Sequence, residues 1–223
     1  MPWGKTEPTR RAGARAVLPL AAAIAVLGVA FGALATSAGL SPIAAVAMSA
    51  TTFAGSAQFA AVGILGAGGG VGAAVASAAL LNARYAAMGV GLAPALRGGM
   101  WKRLLVAQLA VDETWAVASL GDGTFSEDRL VGAGLVLLAA HVTSTAVGAA
   151  AGASLAADPM AWGLDAAFPA LFLVLLRPHL RQAEGCVAAA LGAIIALALI
   201  PFAPAGVPIA AAASAALFGW RSR

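Results

Sequence analysis

Apolar runs of about 20 residues, the length a helix needs to cross a hydrocarbon layer of roughly 30 Å, recur along almost the whole of this chain. They occupy 16–35, 41–63, 71–94, 104–120, 130–155, 187–202 and 206–220, with a shorter run at 164–176. Of the 223 residues, 61% are hydrophobic and 10% charged. A soluble domain carries about 25% charged residues, so bilayer is the expected solvent. The expected fold class is all-α: a polytopic membrane helix bundle of six to eight transmembrane helices, with one or two broken or re-entrant segments. The organisation expected is a basic, disordered cytoplasmic tail at 1–15, one transmembrane domain at 16–220 and a cytoplasmic C-terminus at 221–223.

The net charge of +4 could suggest a nucleic-acid partner. The positions of the charges argue against one. Lys5, Arg10, Arg11 and Arg15, then Arg97, Lys102 and Arg103, then Arg177 and Arg181, then Arg221 and Arg223 flank apolar runs. That is the positive-inside pattern of a multi-pass protein, and it puts the N-terminus in the cytoplasm. Arg10-Arg11 ahead of an apolar run also fits a twin-arginine signal. The run at 16–35 is longer than the roughly 7–15 residues of a signal core, and further apolar runs follow it. The lone Cys186 excludes an intrachain disulfide and a cysteine-based metal site.

Two stretches break the hydrocarbon. Residues 41–63 begin with Ser41-Pro42, an N-cap followed by a first-turn proline, and then gather Ser49, Thr51, Thr52, Gly55, Ser56 and Gln58. A helix that breaks, or a re-entrant segment, is expected there. Irregular backbone at membrane depth is tolerated only inside protein or along a cavity. Eight full crossings would place the basic 97–103 loop outside and the acidic 121–129 loop inside, against the charge bias. Both are repaired if one segment within 37–93 and one within 130–176 fail to cross. In the first run, Gly28 and Gly32 form a small-xxx-small packing face.

Polar groups at membrane depth mark candidate sites. Asn82, Tyr85 and Gly89 share a helical face, with Arg84 on a neighbouring one near an end of the 71–94 run. In the 104–120 run, Gln108, Asp112 and Trp115 share a face and Glu113 lies beside it. The substrate-binding candidates are Gly55, Ser56, Gln58, Asn82, Arg84 and Tyr85. Gly55 to Gln58 would offer free helix-end groups to a carboxylate or an amine, or simply a packing contact. Arg84 suits a carboxylate clamp or an interfacial position. Asp112 and Glu113 are candidates for binding a proton or an amine, or for neutralising Arg84. Gln108, His141 and Thr143 are secondary candidates. His141 has no second ligand in metal spacing, so no metal site, catalytic group or cofactor is expected.

Several short motifs occur in order: Gly-Val-Ala-Phe-Gly at 28–32, Ser-Pro at 41–42, Phe-Ala-Gly-Ser-Ala-Gln-Phe-Ala at 53–60, Leu-Asn-Ala-Arg-Tyr at 81–85, Leu-Ala-Pro-x-Leu-Arg at 92–97 and Asp-Glu-Thr at 112–114. Together they resemble the AzlC-type family, the large subunit of two-component branched-chain amino acid exporters. The resemblance spans 15–200 and is densest over 28–115. The family segment typically reads Asn-x-Arg-His, whereas position 85 here is Tyr, so no protonation role is carried to it. The resemblance implies export of leucine, isoleucine and valine, with methionine or analogues as further candidates, across the inner membrane. It also implies a small hydrophobic AzlD-type partner subunit, and a proton gradient is the expected driving force. The alternative is a non-transporting membrane scaffold or assembly subunit.

Overall fold

A computed structural model describes residues 8–155, 173, 176–177, 179–181, 183–203 and 207–215. Helix α1 spans Arg10–Ser37 and is capped by Thr9, whose hydroxyl accepts the Ala12 amide. It begins inside the stretch read as a disordered tail, because Arg10 pairs with Asp128 at 3.0 Å and Gly13 seats against the backbone of Arg129. Helix α8 spans Glu127–Leu155. It runs parallel to α1 along its whole length.

Glycine on both helices sets that pairing. Gly28 faces His141 and Ser144, and Gly32 faces Thr145 and Gly148. In return Gly132 meets the Arg10 backbone, Gly148 the Val29 backbone and Gly152 the Thr36 side chain. A Cβ at any of these positions would overlap its neighbour. Lipid supplies no hydrophobic drive between helices, so close small-residue packing does the work. The 28–32 pair is thus a packing face, and α8 is its partner.

Between these two helices the chain makes two hairpins and one crossing. Helix α2 spans Pro42–Thr52, capped by Ser41 with proline in its first turn. It stops at Phe53, which adopts a left-handed conformation at φ +41°. Helix α3 spans Gly55–Gly66 and brings the chain back to where it started, with Gly66 beside Ala38. The break expected within 41–63 is therefore a re-entrant hairpin. Helices α4, Val71–Asn82, and α5, Arg84–Leu92, form the crossing. They join through Ala83, where hydrogen bonds tighten to Ala83 N–Leu80 O and Ala86 N–Ala83 O. Arg84 thus lies at mid-length, not near an end.

Helices α6, Met100–Ala107, and α7, Asp112–Ala118, form the second hairpin, entered from the opposite end. Both of its ends lie together. Lys102 Nζ is 2.8 Å from Glu127 Oε1, Glu127 accepts the Arg97 amide, and Ser126 N donates to Ala118 O at 2.9 Å. This corrects one expectation. The 104–120 run is not one span with Gln108, Asp112 and Trp115 on one face. Its helix ends at Ala107, and Thr114 Oγ1 then accepts the Val111 amide and donates to Leu109 O, fixing a turn that separates α6 from α7. A segment that fails to cross is therefore this one, 130–155 is an unbroken helix, and the rest of the 130–176 stretch expected to hold a non-crossing segment lies largely outside the described residues. The acidic 121–129 loop consequently shares an end with the basic 97–103 loop, and their charges pair directly.

Among the described residues three stretches are long and apolar enough to cross a membrane: Arg10–Ser37, Val71–Ala95 and Glu127–Gly152. After them come α9, Ala183–Leu199, and α10, Val207–Ala213, which pack on each other, with α10 also touching α4. The short run at 164–176 with Asp165 and Pro169, and the end of the last run with Trp220, lie largely outside the described residues.

Candidate functional site

The tips of the two hairpins meet beside the Ala83 turn. Gln108 Nε2 donates to Thr51 O, and Val111 packs with Phe53. Three helix starts converge there: α3 at Gly55, α5 at Arg84 and α7 at Asp112. Carboxylates are favoured at a helix N-terminus, which suits Asp112 and Glu113 to the first turn of α7. The first turn of α3 has no side-chain cap, so its leading amides stay open to a partner.

Arg84 ties the three starts together. Its Nη2 lies 2.7 Å from Asp112 Oδ2 and donates to Ser56 Oγ at 3.1 Å and to Tyr85 Oη at 3.4 Å. Its guanidinium carbon also sits 5.1 Å from the centre of the Tyr85 ring, within cation–π range. The buried Nε has no hydrogen-bond partner. Beside this group is a cavity of about 60 Å³, several times the roughly 10–15 Å³ that one water needs. Its polar lining comes from Ser56, Arg84, Tyr85, Asp112 and Glu113, with Gly55 beside them. Its apolar lining comes from Ile24, Leu27, Phe53, Phe59, Val111 and Leu137, and His141 also lines it.

Behind His141 runs a second, fully buried network. Gln58 Oε1 accepts the Ala54 amide at 3.1 Å. That amide can only donate, so it fixes which end of the Gln58 side chain is the oxygen. His141 Nε2 lies 3.2 Å from the same oxygen and therefore carries its proton there. Gln58 Nε2 donates to Ser49 Oγ at 3.2 Å, and Ser49 meets Thr145 Oγ1 at 2.8 Å. Phe31 and Phe53 flank the imidazole with ring centres 6.2 and 6.1 Å away. The network binds the tip of the first hairpin to α8, and it orients His141.

The candidates divide accordingly. Gly55, Ser56, Arg84, Tyr85, Asp112, Glu113 and His141 line the cavity, and Gln58 stands one layer behind. Asn82 does not line it, and its buried Oδ1 has no hydrogen-bond partner. Gln108 holds the hairpin tips together from outside. Thr143 is exposed on the far face of α8 and donates back to Ala139 O at 2.7 Å. Among the described residues no three His, Cys, Asp or Glu side chains gather as metal ligands.

Residues 19–155 match the family described as AzlC protein. The chain belongs to the AzlC family. The AzlC match runs from α1 to the end of α8, so both hairpins, the Ala83 turn and the whole cavity fall inside it. The chain is also 29% identical over 201 residues to the inner membrane protein YgaZ of Escherichia coli K12, covering 84% of this chain and 80% of that protein. No solved structure matches. The AzlC match and this relative support a membrane transport-related role. What sequence reasoning missed in this AzlC chain is the apolar lining of the cavity and the pairing of Ser49 with Thr145. Ser49 precedes Gln58 by nine residues across a helix break, so no periodicity links them. Ile24, Leu27 and Leu137 look like any other lipid-facing residue in an apolar run.

Proposed function

We propose that this chain is the large subunit of a secondary transporter that exports branched-chain amino acids across the cell inner membrane. The observation that supports it most is that the cavity at the meeting point of the helix breaks is lined by both charged and apolar side chains. Discontinuous helices near the membrane midplane are the usual ground for transporter sites. An α-amino acid with an aliphatic side chain has one carboxylate, one ammonium and one apolar part. Arg84 and the open first turn of α3 suit the carboxylate. Asp112 and Glu113 suit the ammonium, and Ile24, Leu27, Phe59 and Leu137 suit the side chain.

Arg84 can neutralise only one of the two carboxylates. The remaining negative charge suits an ammonium group or a proton, which is the basis for proposing proton-driven export. An apolar pocket separates substrates differing by one methylene by only about 1–3 kcal/mol. Leucine, isoleucine and valine are therefore expected to share the site, with methionine close behind. A small AzlD-type subunit is the proposed partner. The end bearing Arg10, Arg97, Lys102 and Arg103 is proposed to face the cytoplasm.

The test is export of labelled leucine and valine from loaded proteoliposomes holding the chain with its partner subunit, with and without a proton gradient. Movement that excess unlabelled leucine suppresses, and that Arg84→Ala abolishes, supports the reading. No movement under gradient or exchange conditions favours the non-transporting scaffold.

A further inference from the structure

Two more cavities flank the central one, and the residues they share with it divide the three chambers. Toward the Ser37 end lies a cavity of about 330 Å³ walled by Leu34, Ser37, Val62, Gly63 and Gly66. It shares Phe59 with the central cavity. Toward the Arg97 end lies one of about 180 Å³ walled by Gly89, Leu92, Leu96, Ala107 and Gln108. It shares Phe53 and Tyr85 with the central cavity. The three chambers thus lie in series between the two ends of the fold.

The separating residues are aromatic and seated. Phe59 is 3% exposed and meets Phe31 edge-on with ring centres 5.6 Å apart. Phe53 is 5% exposed, sits at the left-handed tip of the first hairpin, and has Tyr85 packed against its cluster. Apolar constrictions close a path by excluding water, with no need for a tight steric plug. Both phenylalanines belong to the same re-entrant hairpin, one at its tip and one a turn into α3.

We propose that the three cavities are one translocation path closed by two aromatic septa: Phe59 on the Ser37 side, and Phe53 with Tyr85 on the Arg97 side. This rests on the transport reading above and adds the route to it. A small zwitterion with an apolar side chain would pass Phe53 and Tyr85 to reach Arg84, and Phe59 to leave it, or the reverse.

Glycine gives each chamber a reporter. Gly63, Gly55 and Gly89 lie one in each, and a Cβ at any of them meets nothing within 4 Å. In the full-length chain carrying Cys186→Ser, each is replaced singly by cysteine. A membrane-impermeant thiosulfonate reagent is then applied to right-side-out and inverted vesicles. Gly89→Cys should react only from the Arg97 side, Gly63→Cys only from the opposite side, and Gly55→Cys slowly from either. Adding Phe53→Ala, or Tyr85→Ala should Phe53→Ala fail to fold, should raise the Gly55→Cys rate several-fold from the Arg97 side alone. Adding Phe59→Ala should do so from the other side alone. Equal rates with and without the septa, opening from the wrong side, or silence at Gly63→Cys or Gly89→Cys would overturn the path. Labelling needs no transport. The expected pattern in a chain that moves no leucine would keep the path and refute the substrate.

Discussion

Arg84 Nη2 and Asp112 Oδ2 stand 2.7 Å apart and join the crossing helix pair α4–α5 to the tip of the second hairpin. Each side chain keeps more than a third of its surface exposed. The pair therefore falls between an exposed bridge, worth about 0–1 kcal/mol, and a buried one, whose breaking costs about 3–5 kcal/mol. Arg84→Ala is expected to lower stability by about 1–3 kcal/mol on that scale and to abolish export. The double exchange Arg84→Asp with Asp112→Arg is expected to recover the melting temperature and not the export. Thermal unfolding in detergent beside leucine efflux checks both, and recovery of efflux by the exchanged pair would remove the clamp role.

Gln58 is fully buried and holds the Ala54 amide, His141 and Ser49 at once. Gln58→Leu leaves the Ala54 amide without its partner and takes one bond each from His141 and Ser49, which keeps Thr145, and an unsatisfied buried group costs about 1–3 kcal/mol. The expected result is a drop in melting temperature larger than that of Thr143→Val, which alters only an exposed side chain. Equal drops would mean that the network adds no stability.

Glu113 is the cavity carboxyl that Arg84 does not pair with. Glu113→Gln is expected to flatten the dependence of export on the proton gradient while leaving counterflow of leucine measurable. Export by Glu113→Gln that still follows the gradient would assign the proton to another group.

The shared end of the 97–103 and 121–129 loops is open to direct test. Reporter insertions after Gly98 and after Gly123, two exposed turns with positive φ, should both report the cytoplasm. Reports from opposite sides of the membrane would contradict the pairing of Lys102 with Glu127.

Gly148→Leu would press a side chain into the backbone of Val29, whereas Gly89→Ala enters open space. The first is expected to leave little monodisperse protein after size exclusion, and the second to leave the yield unchanged.

The first hairpin was legible because its break carries its own chemistry: hydroxyls, a glycine and an amide in a run that should hold none. The second was not, because its break is made by Thr114 reaching back to the backbone of Val111 and Leu109. A threonine after two carboxylates signals nothing of that kind by spacing. Asp112 and Glu113 stood out for their cost in hydrocarbon, and that cost is met at a helix start facing Arg84. The left-handed residue at the first tip is Phe53 and not the nearby Gly55, a choice that tertiary packing makes and local propensity does not. The apolar half of the cavity was invisible for a simpler reason: at membrane depth an inward leucine and a lipid-facing one obey the same rule.

The parallel seam between α1 and α8 also sets an order of assembly. Arg10 and Asp128 are 118 positions apart, and chains emerge at about 5–20 residues per second. For roughly 6–24 seconds at that pace, the glycine stripe of α1 has nothing of its own chain to close upon. Both hairpins are made during that interval, before the helix that will clasp them exists. The core around the cavity therefore does not close piece by piece from the N-terminus; its glycine seam can close only once α8 has been made.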